Sequence, residues 1–399
     1  MEERYRNSNR ISGRRLQARR LAISAAFALT LGASATEPQV DVVADVGHQG
    51  PIDGMTYSSD GRWLMTSCRP SDGTTRLWFE SRLRYVLPGS RAAMPPSGEL
   101  VVTGSEDAFR QLGAIRRWDL ATGRMKWEAL GREVHSFAVT PDGTSLVALG
   151  KDKSYQVWDI ETGEVRQRLA GFAPGLGEIF VSPLGTWVAT RYRNTIATWE
   201  LSTGQARCLL AEEPNSVRQL TFAPREQFIV AAGKGTVRLW DPETCELRHR
   251  FETDDERLDR GLVSPDGAYV LASSSRQALL WHRESGELVY QATELEHCSG
   301  FSAIAFHPSG DWAAIGRRNG RIDLVAPEIG MPIQTLKSSF GPSLLVPHPD
   351  GTELTAGAHG INFLRLKSDN YTKRGRQSHL KLEALYLSED AEQLVAQNA

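Results

Sequence analysis

The residues of this chain that could do chemistry do not form a known catalytic or metal-binding motif. The nine histidines make neither an HxH nor an HExxH pattern, the spacings that gather imidazoles around zinc. No GxSxG segment is present, so the nucleophile elbow of a serine hydrolase is absent. Residues 233–236 (GKGT) lack the leading glycine of a phosphate loop and read as a short turn between strands. The sequence therefore predicts no catalysis, no metal site and no cofactor.

Polar side chains nevertheless recur at one position, eight residues before a repeated turn glycine. The residues at this position are Asp53, Ser90, His135, Gly177, Arg218, Asp259, Ser302 and Ser343. The following position adds Arg91, Glu178, Gln219 and Arg260. Mixed acids and arginines at a fixed place in a repeat can bind a charged partner, and acids with a histidine can bind a cation.

The repeat itself is marked by tryptophan. Trp78, Trp118, Trp158, Trp199, Trp240 and Trp281 are spaced by 40, 40, 41, 41 and 41 residues. Most are followed by an acid and then by a Thr-Gly or Ser-Gly turn, and each unit carries a corner such as Pro141-Asp142-Gly143 upstream. Proline sets the first angle of such a corner and glycine accepts the left-handed one. Eight units share the corner, the fifth in the degenerate form Pro224-Arg225-Glu226, and the last two lack the tryptophan.

Between these markers, apolar residues alternate with the period of a β-strand, as in residues 217–222 (VRQLTF) and 236–240 (TVRLW). Four short strands repeated about every 41 residues predict the blades of an all-β propeller. One four-stranded sheet of this size cannot cover both of its apolar faces, whereas blades packed around an axis bury each other.

The units resemble WD repeats, and the first unit resembles them most, with Gly47-His48, Ser67, Asp72-Gly73 and Trp78. The resemblance implies that His48, Ser67, Asp72 and Trp78 form a hydrogen-bonded chain that locks the blade. It covers residues 40–366 and implies the fold rather than a function.

A propeller must close, because open end blades would expose strand edges. In WD-type rings an N-terminal strand completes the last blade, and residues 40–46 (VDVVADV) have the pattern of such a strand. Eight blades are favoured over seven. Residues 367–399 form a C-terminal extension, in which 382–396 read as part of a further repeat, as a cap or as a short helix from Ser388.

In a propeller the starts of the innermost strands gather at one mouth of the central channel. The candidate partner-binding residues there are Asp53, Arg91, His135, Glu178, Arg218, Asp259 and Arg260. Three readings stay open: a protein-binding surface, a cation or catalytic site, and plain polarity at strand starts. The arginines among the acids would repel a divalent cation, which favours the protein-binding reading.

The N-terminus predicts export. Arginines are frequent in residues 1–20, an uncharged run follows at 21–35, and Ala33-Ser34-Ala35 fits a signal-peptidase site. That run is shorter than the roughly 20 residues of a membrane span, so a cleaved signal peptide at 1–35 is favoured over a retained anchor or a basic tail. In an oxidising compartment, the pair of cysteines most suited to a disulfide is Cys208 and Cys245, on neighbouring units.

The net charge of −2 argues against a nucleic-acid partner. The favoured function is a non-catalytic scaffold, periplasmic or secreted, that holds protein partners and is not inserted in a membrane after signal cleavage. The alternative is a propeller enzyme of the hydrolase, lactonase or quinoprotein-like kind, with its site at the channel mouth.

Overall fold

Thirty-two β-strands are formed by the residues that the computed structural model describes. Those residues are 48, 50–68, 73–105, 113–131, 136–149, 154–172, 177–192, 195–211, 217–254, 258–293, 300–358, 360–367 and 381–385. They lie in one compact unit, Asp45–Ala399. Within these ranges no helix has the length and apolar character needed to cross a membrane.

The strands form eight antiparallel sheets of four, and each sheet takes its strands in chain order from the innermost outward. Blade 1 consists of β1 (Ile52–Tyr57), β2 (Trp63–Cys68), β3 (Thr74–Phe79) and β4 (Arg82–Pro88). Blade 2 consists of β5 (Arg91–Ala93), β6 (Leu100–Ser105), β7 (Gly113–Asp119) and β8 (Met125–Gly131). Blade 3 consists of β9 (Phe137–Val139), β10 (Ser145–Leu149), β11 (Tyr155–Asp159) and β12 (Val165–Arg168). Blade 4 consists of β13 (Glu178–Val181), β14 (Trp187–Tyr192), β15 (Thr195–Glu200) and β16 (Ala206–Ala211).

The second half of the ring repeats this arrangement. Blade 5 consists of β17 (Gln219–Phe222), β18 (Ile229–Gly233), β19 (Thr236–Trp240) and β20 (Leu247–Glu252). Blade 6 consists of β21 (Arg260–Val263), β22 (Tyr269–Ser273), β23 (Gln277–His282) and β24 (Leu288–Thr293). Blade 7 consists of β25 (Phe301–Phe306), β26 (Ala313–Arg317), β27 (Arg321–Ala326) and β28 (Met331–Lys337). Blade 8 consists of β29 (Leu344–Pro347), β30 (Glu353–Gly357), β31 (Ile361–Lys367) and β32 (Lys381–Leu385). The all-β fold and the preference for eight blades over seven are confirmed.

The corners between the first two strands of each blade are tight turns. In blade 3, the amide of Gly143 donates to the carbonyl of Thr140 at 2.9 Å, and Gly143 has a φ of +71°. Blade 5 has Glu226 at this place with a φ of +61°, and its carboxylate accepts from the amide of Leu184 in blade 4. Glu226 thus has a backbone angle that glycine adopts more easily, and its side chain contacts the neighbouring blade. The segment 233–236 is the short turn expected from its sequence, with β18 ending at Gly233 and β19 starting at Thr236.

The repeated tryptophan coincides with a break in the strand register. Where the third strand of a blade pairs with the fourth, an irregularity occurs at or beside Trp78, Trp118, Trp158, Trp199, Trp240 and Trp281. In blade 7 the same irregularity occurs at Val325. An extra residue twists a strand locally, so this break marks the end of the third strand even where the indole is missing.

The core is divided among the eight seams between neighbouring blades. Each seam contains one cluster of buried apolar side chains, drawn from the two blades that it joins. The seam between blades 5 and 6 (seam 5–6) buries thirteen such residues, among them Phe228, Phe251 and Trp281. In the seam that closes the ring (seam 8–1), the described residues bury three, Leu64, Trp78 and Phe363. Among the described residues, the apolar cluster at the closing seam is therefore the smallest of the eight.

The last blade is completed differently from the prediction. Its fourth strand is β32, which pairs with β31 along Lys367↔Lys381 to Phe363↔Leu385. That place was predicted for residues 40–46, which lie outside the described residues. The prediction was wrong, because β32 pairs with the outer edge of β31. The strands of blade 8 therefore follow the same chain order as those of the other seven blades. Part of the C-terminal extension therefore belongs to blade 8 instead of starting a further repeat.

Candidate functional site at the channel mouth

The starts of the innermost strands in blades 5 to 8 surround a cavity of about 1080 Å³ at one mouth of the channel. Arg218 lies just before β17 and Asp259 just before β21, each anchored by its backbone amide to the second strand of its own blade. Their side chains form an ion pair of 2.9 Å between Nη1 and Oδ1, and both are about half exposed. This pair joins blade 5 to blade 6 at the rim of the cavity.

A second ion pair joins blade 4 to the same rim. Arg191, near the end of β14, pairs with Glu178 at the start of β13, with 2.5 Å between Nη2 and Oε2. The other guanidinium nitrogen of Arg191 donates to the carbonyls of Val217 and Arg218 at 2.8 and 2.9 Å. Arg191 thus fixes the segment that presents Arg218.

Arg260 reaches across the channel. Its Nη2 donates to the carbonyl of Ser343 in blade 8 at 3.3 Å. Burial lowers the pKa of its guanidinium, against a smaller opposite effect from the charge of Asp259. In the part of the chain that the structure describes, Arg260 makes no ion pair.

Arg318, in the turn between β26 and β27, supplies a further cation to the cavity lining. Its backbone is held on both sides: its amide donates to the carbonyl of Gly300 at 2.9 Å, and Gly341 packs against its carbonyl. A Cβ on Gly341 would lie 2.1 Å from that oxygen, so only glycine permits this approach. The side chain is exposed and has no hydrogen bond or ion pair to the described residues.

Three of the seven predicted site residues, Arg218, Asp259 and Arg260, line the cavity, and Glu178 is joined to it through its ion pair with Arg191. Asp53 and Arg91 do not line this cavity. Asp53 accepts a hydrogen bond from Ser67 at 3.2 Å, and Arg91 is half-buried in β5. His135 lies outside the described residues.

Arg191 and Arg318 were not predicted from the sequence, because along the chain they are far from the starts of the innermost strands. A strand that pairs antiparallel with the innermost one ends at the mouth, and Arg191 is the register partner of Glu178. That pairing was the available signal for Arg191. Arg318 had no comparable signal, because a turn between the second and third strands need not face the channel.

The blade-locking chain of the first unit contains a different hydroxyl from the one predicted. Thr66 Oγ1 bonds His48 Nε2 at 3.0 Å and accepts from Trp78 Nε1 at 3.1 Å. Ser67 bonds Asp53 instead, because successive side chains of a strand point to opposite faces of the sheet. Asp72 lies outside the described residues.

The equivalent hydroxyl is present in blade 2, where Trp118 Nε1 donates to Thr103 at 2.9 Å. Blades 3 and 5 have Ala148 and Ala231 at this register position. There the indole N–H groups of Trp158 and Trp240 are buried and have no hydrogen-bond partner within the described part of the chain. Among blades 1, 2, 3 and 5, the hydrogen bond from the indole to this hydroxyl therefore occurs only in blades 1 and 2.

The two cysteines singled out in the sequence are bonded to each other. Cys208 of β16 and Cys245 in the turn after β19 form a disulfide between blades 4 and 5. Cys245 has a φ of +64°, whereas Gly123, Gly163 and Gly204 hold the same turn position in blades 2 to 4. A non-glycine residue in this conformation costs about 1 kcal/mol or more. The sequence left open whether any cysteines pair, and the structure joins the two that it singled out. Cys245 thereby takes the place of the glycine that this turn favours.

No group of three or more potential metal ligands occurs within the described ranges. His307 and His348, which precede the corner prolines, lie in corner contacts: their Nε2 atoms approach the carbonyls of Gly351 and Gly61 at 3.3 and 3.0 Å. Each histidine thus links its corner to the corner of the next blade.

Comparison with known proteins gives one family match. The profile described as "WD domain, G-beta repeat" matches residues 42–78 and 207–241. Among solved structures, the C-terminal WD40 domain of Sif2 superposes with a TM-score of 0.62 at 16% identity, over 81% of this chain and 98% of that one. The Dos1 propeller superposes with the same TM-score and identity, over 79% of this chain and 92% of that one. At this identity the likeness concerns the fold.

Curated relatives match over shorter stretches. The periodic tryptophan protein 2 homolog of Dictyostelium discoideum is 31% identical over 133 residues, which are 31% of this chain and 14% of that protein. The target of rapamycin complex subunit wat1 of Schizosaccharomyces pombe is 27% identical over 128 residues, 31% of this chain and 40% of that protein. The small ribosomal subunit protein RACK1y of rice is 31% identical over 108 residues, 27% of this chain and 28% of that protein. The matches thus span less than half the length of these relatives. The chain is thus an eight-bladed β-propeller that contains WD repeats, which the profile matches at residues 42–78 and 207–241.

Proposed function

We propose that this propeller is a non-catalytic scaffold outside the cytoplasm that binds a protein partner at the channel mouth. The observation that carries the proposal is the charged cluster of Arg191, Arg218, Asp259 and Arg260 around a cavity of about 1080 Å³. The backbone segments that carry these side chains belong to blades 4, 5 and 6, so the charged groups are presented in a fixed arrangement. Preorganised charges of this kind favour specific protein contacts.

The electrostatics favour binding over metal-assisted catalysis. Glu178 is paired with Arg191 and Asp259 with Arg218, so each acid has a guanidinium within 3 Å. A divalent cation at either acid would be repelled by that guanidinium and would need several further oxygen ligands. A protein surface can use both signs of charge at once.

Two features support a location outside the cytoplasm. Residues 1–35 have the charge, apolar run and small-residue pattern of a signal peptide. The Cys208–Cys245 disulfide is of the kind that persists in oxidising compartments. If the proposal holds, protein recovered outside the cytoplasm begins just after Ala35 by N-terminal sequencing and contains this disulfide. An uncleaved, reduced protein in the cytoplasm would contradict it.

Partner binding can be tested with two variants of one blade. Arg218→Glu reverses a charge at the mouth, before β17, whereas Arg225→Glu does so in the exposed corner that follows the same strand. We expect Arg218→Glu to abolish capture of the partner from an extracellular or periplasmic extract and Arg225→Glu to preserve it. Both variants should keep the thermal unfolding midpoint of the native protein. Equal capture by both variants would mean that the partner binds at another surface.

A further inference from the structure

Among the described residues at the channel mouth, the arginines outnumber the acids. Four arginines, Arg191, Arg218, Arg260 and Arg318, line the cavity together with one acid, Asp259. A second acid, Glu178, lies beside the cavity in its ion pair with Arg191. The carboxylates form ion pairs with Arg191 and Arg218. The two remaining cations, Arg260 and Arg318, have no ion pair among the described residues.

Arg260 and Arg318 both line the cavity at the channel mouth. Arg260 is half-buried, and its one hydrogen bond to the described residues, 3.3 Å to the Ser343 carbonyl, leaves most of its five N–H donors unused. Arg318 is exposed, and its backbone is clamped between Gly300 and Gly341. Both side chains line the same cavity.

A partly buried guanidinium without a counter-ion is electrostatically costly, and a bound carboxylate would remove that cost. The lowered pKa of Arg260, caused first by burial, is consistent with this imbalance. The serine hydroxyls of the lining offer less to a ligand, since Ser302 already donates to Gly316 at 3.3 Å and Ser343 donates to Gly357 at 3.1 Å. The arginines are therefore the charged groups of the lining that keep unused donors for a ligand.

We propose that the channel mouth binds an acidic peptide segment, with side-chain carboxylates placed against Arg260 and Arg318. A peptide fits better than a lone small anion, because the cavity of about 1080 Å³ is many times the volume of one carboxylate. The proposal rests on the scaffold function and names the chemistry of its partner: a stretch of aspartates and glutamates.

The test uses fluorescence anisotropy of the folded, disulfide-bonded protein with labelled octaglutamate, and with octalysine and a neutral Gly-Ser octapeptide as controls. We expect binding of octaglutamate alone, weakened as sodium chloride rises from about 50 to 200 mM. Each of Arg260→Glu and Arg318→Glu should weaken it by about tenfold or more, as expected for the loss of a charge-assisted hydrogen bond. Arg225→Glu, in the corner at the other end of β17, should stay within about twofold of the native protein.

Because Arg318 is exposed, Arg318→Glu should fold even if Arg260→Glu does not. Arg318→Lys should bind more tightly than Arg318→Glu and less tightly than the native protein, since it keeps the charge and loses the planar fork. Absence of octaglutamate binding at low salt, or equal binding by the native protein and Arg318→Glu, would overturn the proposal. If the partner were still captured in an Arg218-dependent manner, the scaffold function would survive and the acidic segment would be rejected.

Discussion

At seam 5–6 the rings of Phe251 and Trp281 lie 5.5 Å apart, within a cluster of thirteen buried apolar residues. At seam 8–1 the hydroxyl of Tyr57 donates to Glu353 at 3.1 Å and bonds Thr355 at 2.7 Å, beside only three buried apolar residues of the described chain. A cavity of about 470 Å³, lined in part by Tyr57 and Glu353, lies at this closing seam. Among the described residues, seam 5–6 thus has the larger apolar core, and seam 8–1 combines a smaller one with buried polar contacts.

The difference matters because the two kinds of contact contribute unequally. Burial of apolar surface contributes about 25 cal/mol per Å², whereas an intramolecular hydrogen bond contributes about 1 kcal/mol net. We therefore infer that the ring is weakest where its ends meet. The disulfide between blades 4 and 5 strengthens the part of the ring next to seam 5–6, far from the closing seam.

The largest effect is expected from a change in the apolar seam. Trp281→Ala removes a side chain that is 6% exposed and should lower the free energy of unfolding by about 3–5 kcal/mol. Phe363→Ala, at seam 8–1, should cost less, because a cavity already borders that ring. Urea denaturation of both variants measures this, and an equal or larger loss for Phe363→Ala would refute the contrast between the seams.

The disulfide gives the next largest effect. Cys208→Ala removes a link between residues 37 positions apart and should cost about 2–4 kcal/mol under oxidising conditions. Cys245→Gly breaks the same link but restores the residue preferred at a φ of +64°, so its cost should be about 1 kcal/mol smaller.

Reducing conditions provide the control for this pair. With the disulfide reduced, Cys245→Gly should be more stable than the native sequence by about 1 kcal/mol in the same denaturation experiment. Equal stability of the two reduced proteins would show that the left-handed turn is not strained by cysteine.

A smaller effect is expected at seam 8–1. Tyr57→Phe deletes the hydroxyl that donates to the buried carboxylate of Glu353 and should cost about 1–2 kcal/mol. Burial, and then the charge of Glu353, raise the pKa of Tyr57, so the phenol stays protonated and remains the donor. Hydrogen exchange should show faster opening of β1 and β30 in this variant than of β18 and β22. Uniform exchange around the ring would contradict the idea of a weak closing seam.

The smallest effect concerns pH. Burial lowers the pKa of His307, against the opposing effect of its hydrogen bond to the Gly351 carbonyl, so the folded protein favours the neutral ring. Its stabilising contribution is present above the unfolded pKa of about 6.5 and is lost as pH falls through the lower folded value. His307→Gln should therefore flatten the fall in unfolding free energy between pH 7 and 5. If the unfolding free energy of His307→Gln fell with pH as in the native protein, other titratable groups would be responsible for that fall.

Several features were predictable because they depend on residues close together in the chain. The corner glycines, the tryptophan at the register break and the alternation of residues 217–222 identified the blades, and they identified the starts of the innermost strands. That is why Arg218, Asp259 and Arg260 were found. The cysteine pair was predictable too, because residues one repeat apart become neighbours across a seam.

What the sequence by itself determined is this repeat: which residues form strands, where they turn and which end of each blade is polar. Only the tertiary structure decided that Thr66 rather than Ser67 bonds Trp78, that Arg191 and Arg318 join the mouth, and that β32 completes blade 8. The physical reason is that local turn geometry and strand alternation are encoded within about 41 residues. Which side chains meet across the channel depends on how eight such units are placed around one axis.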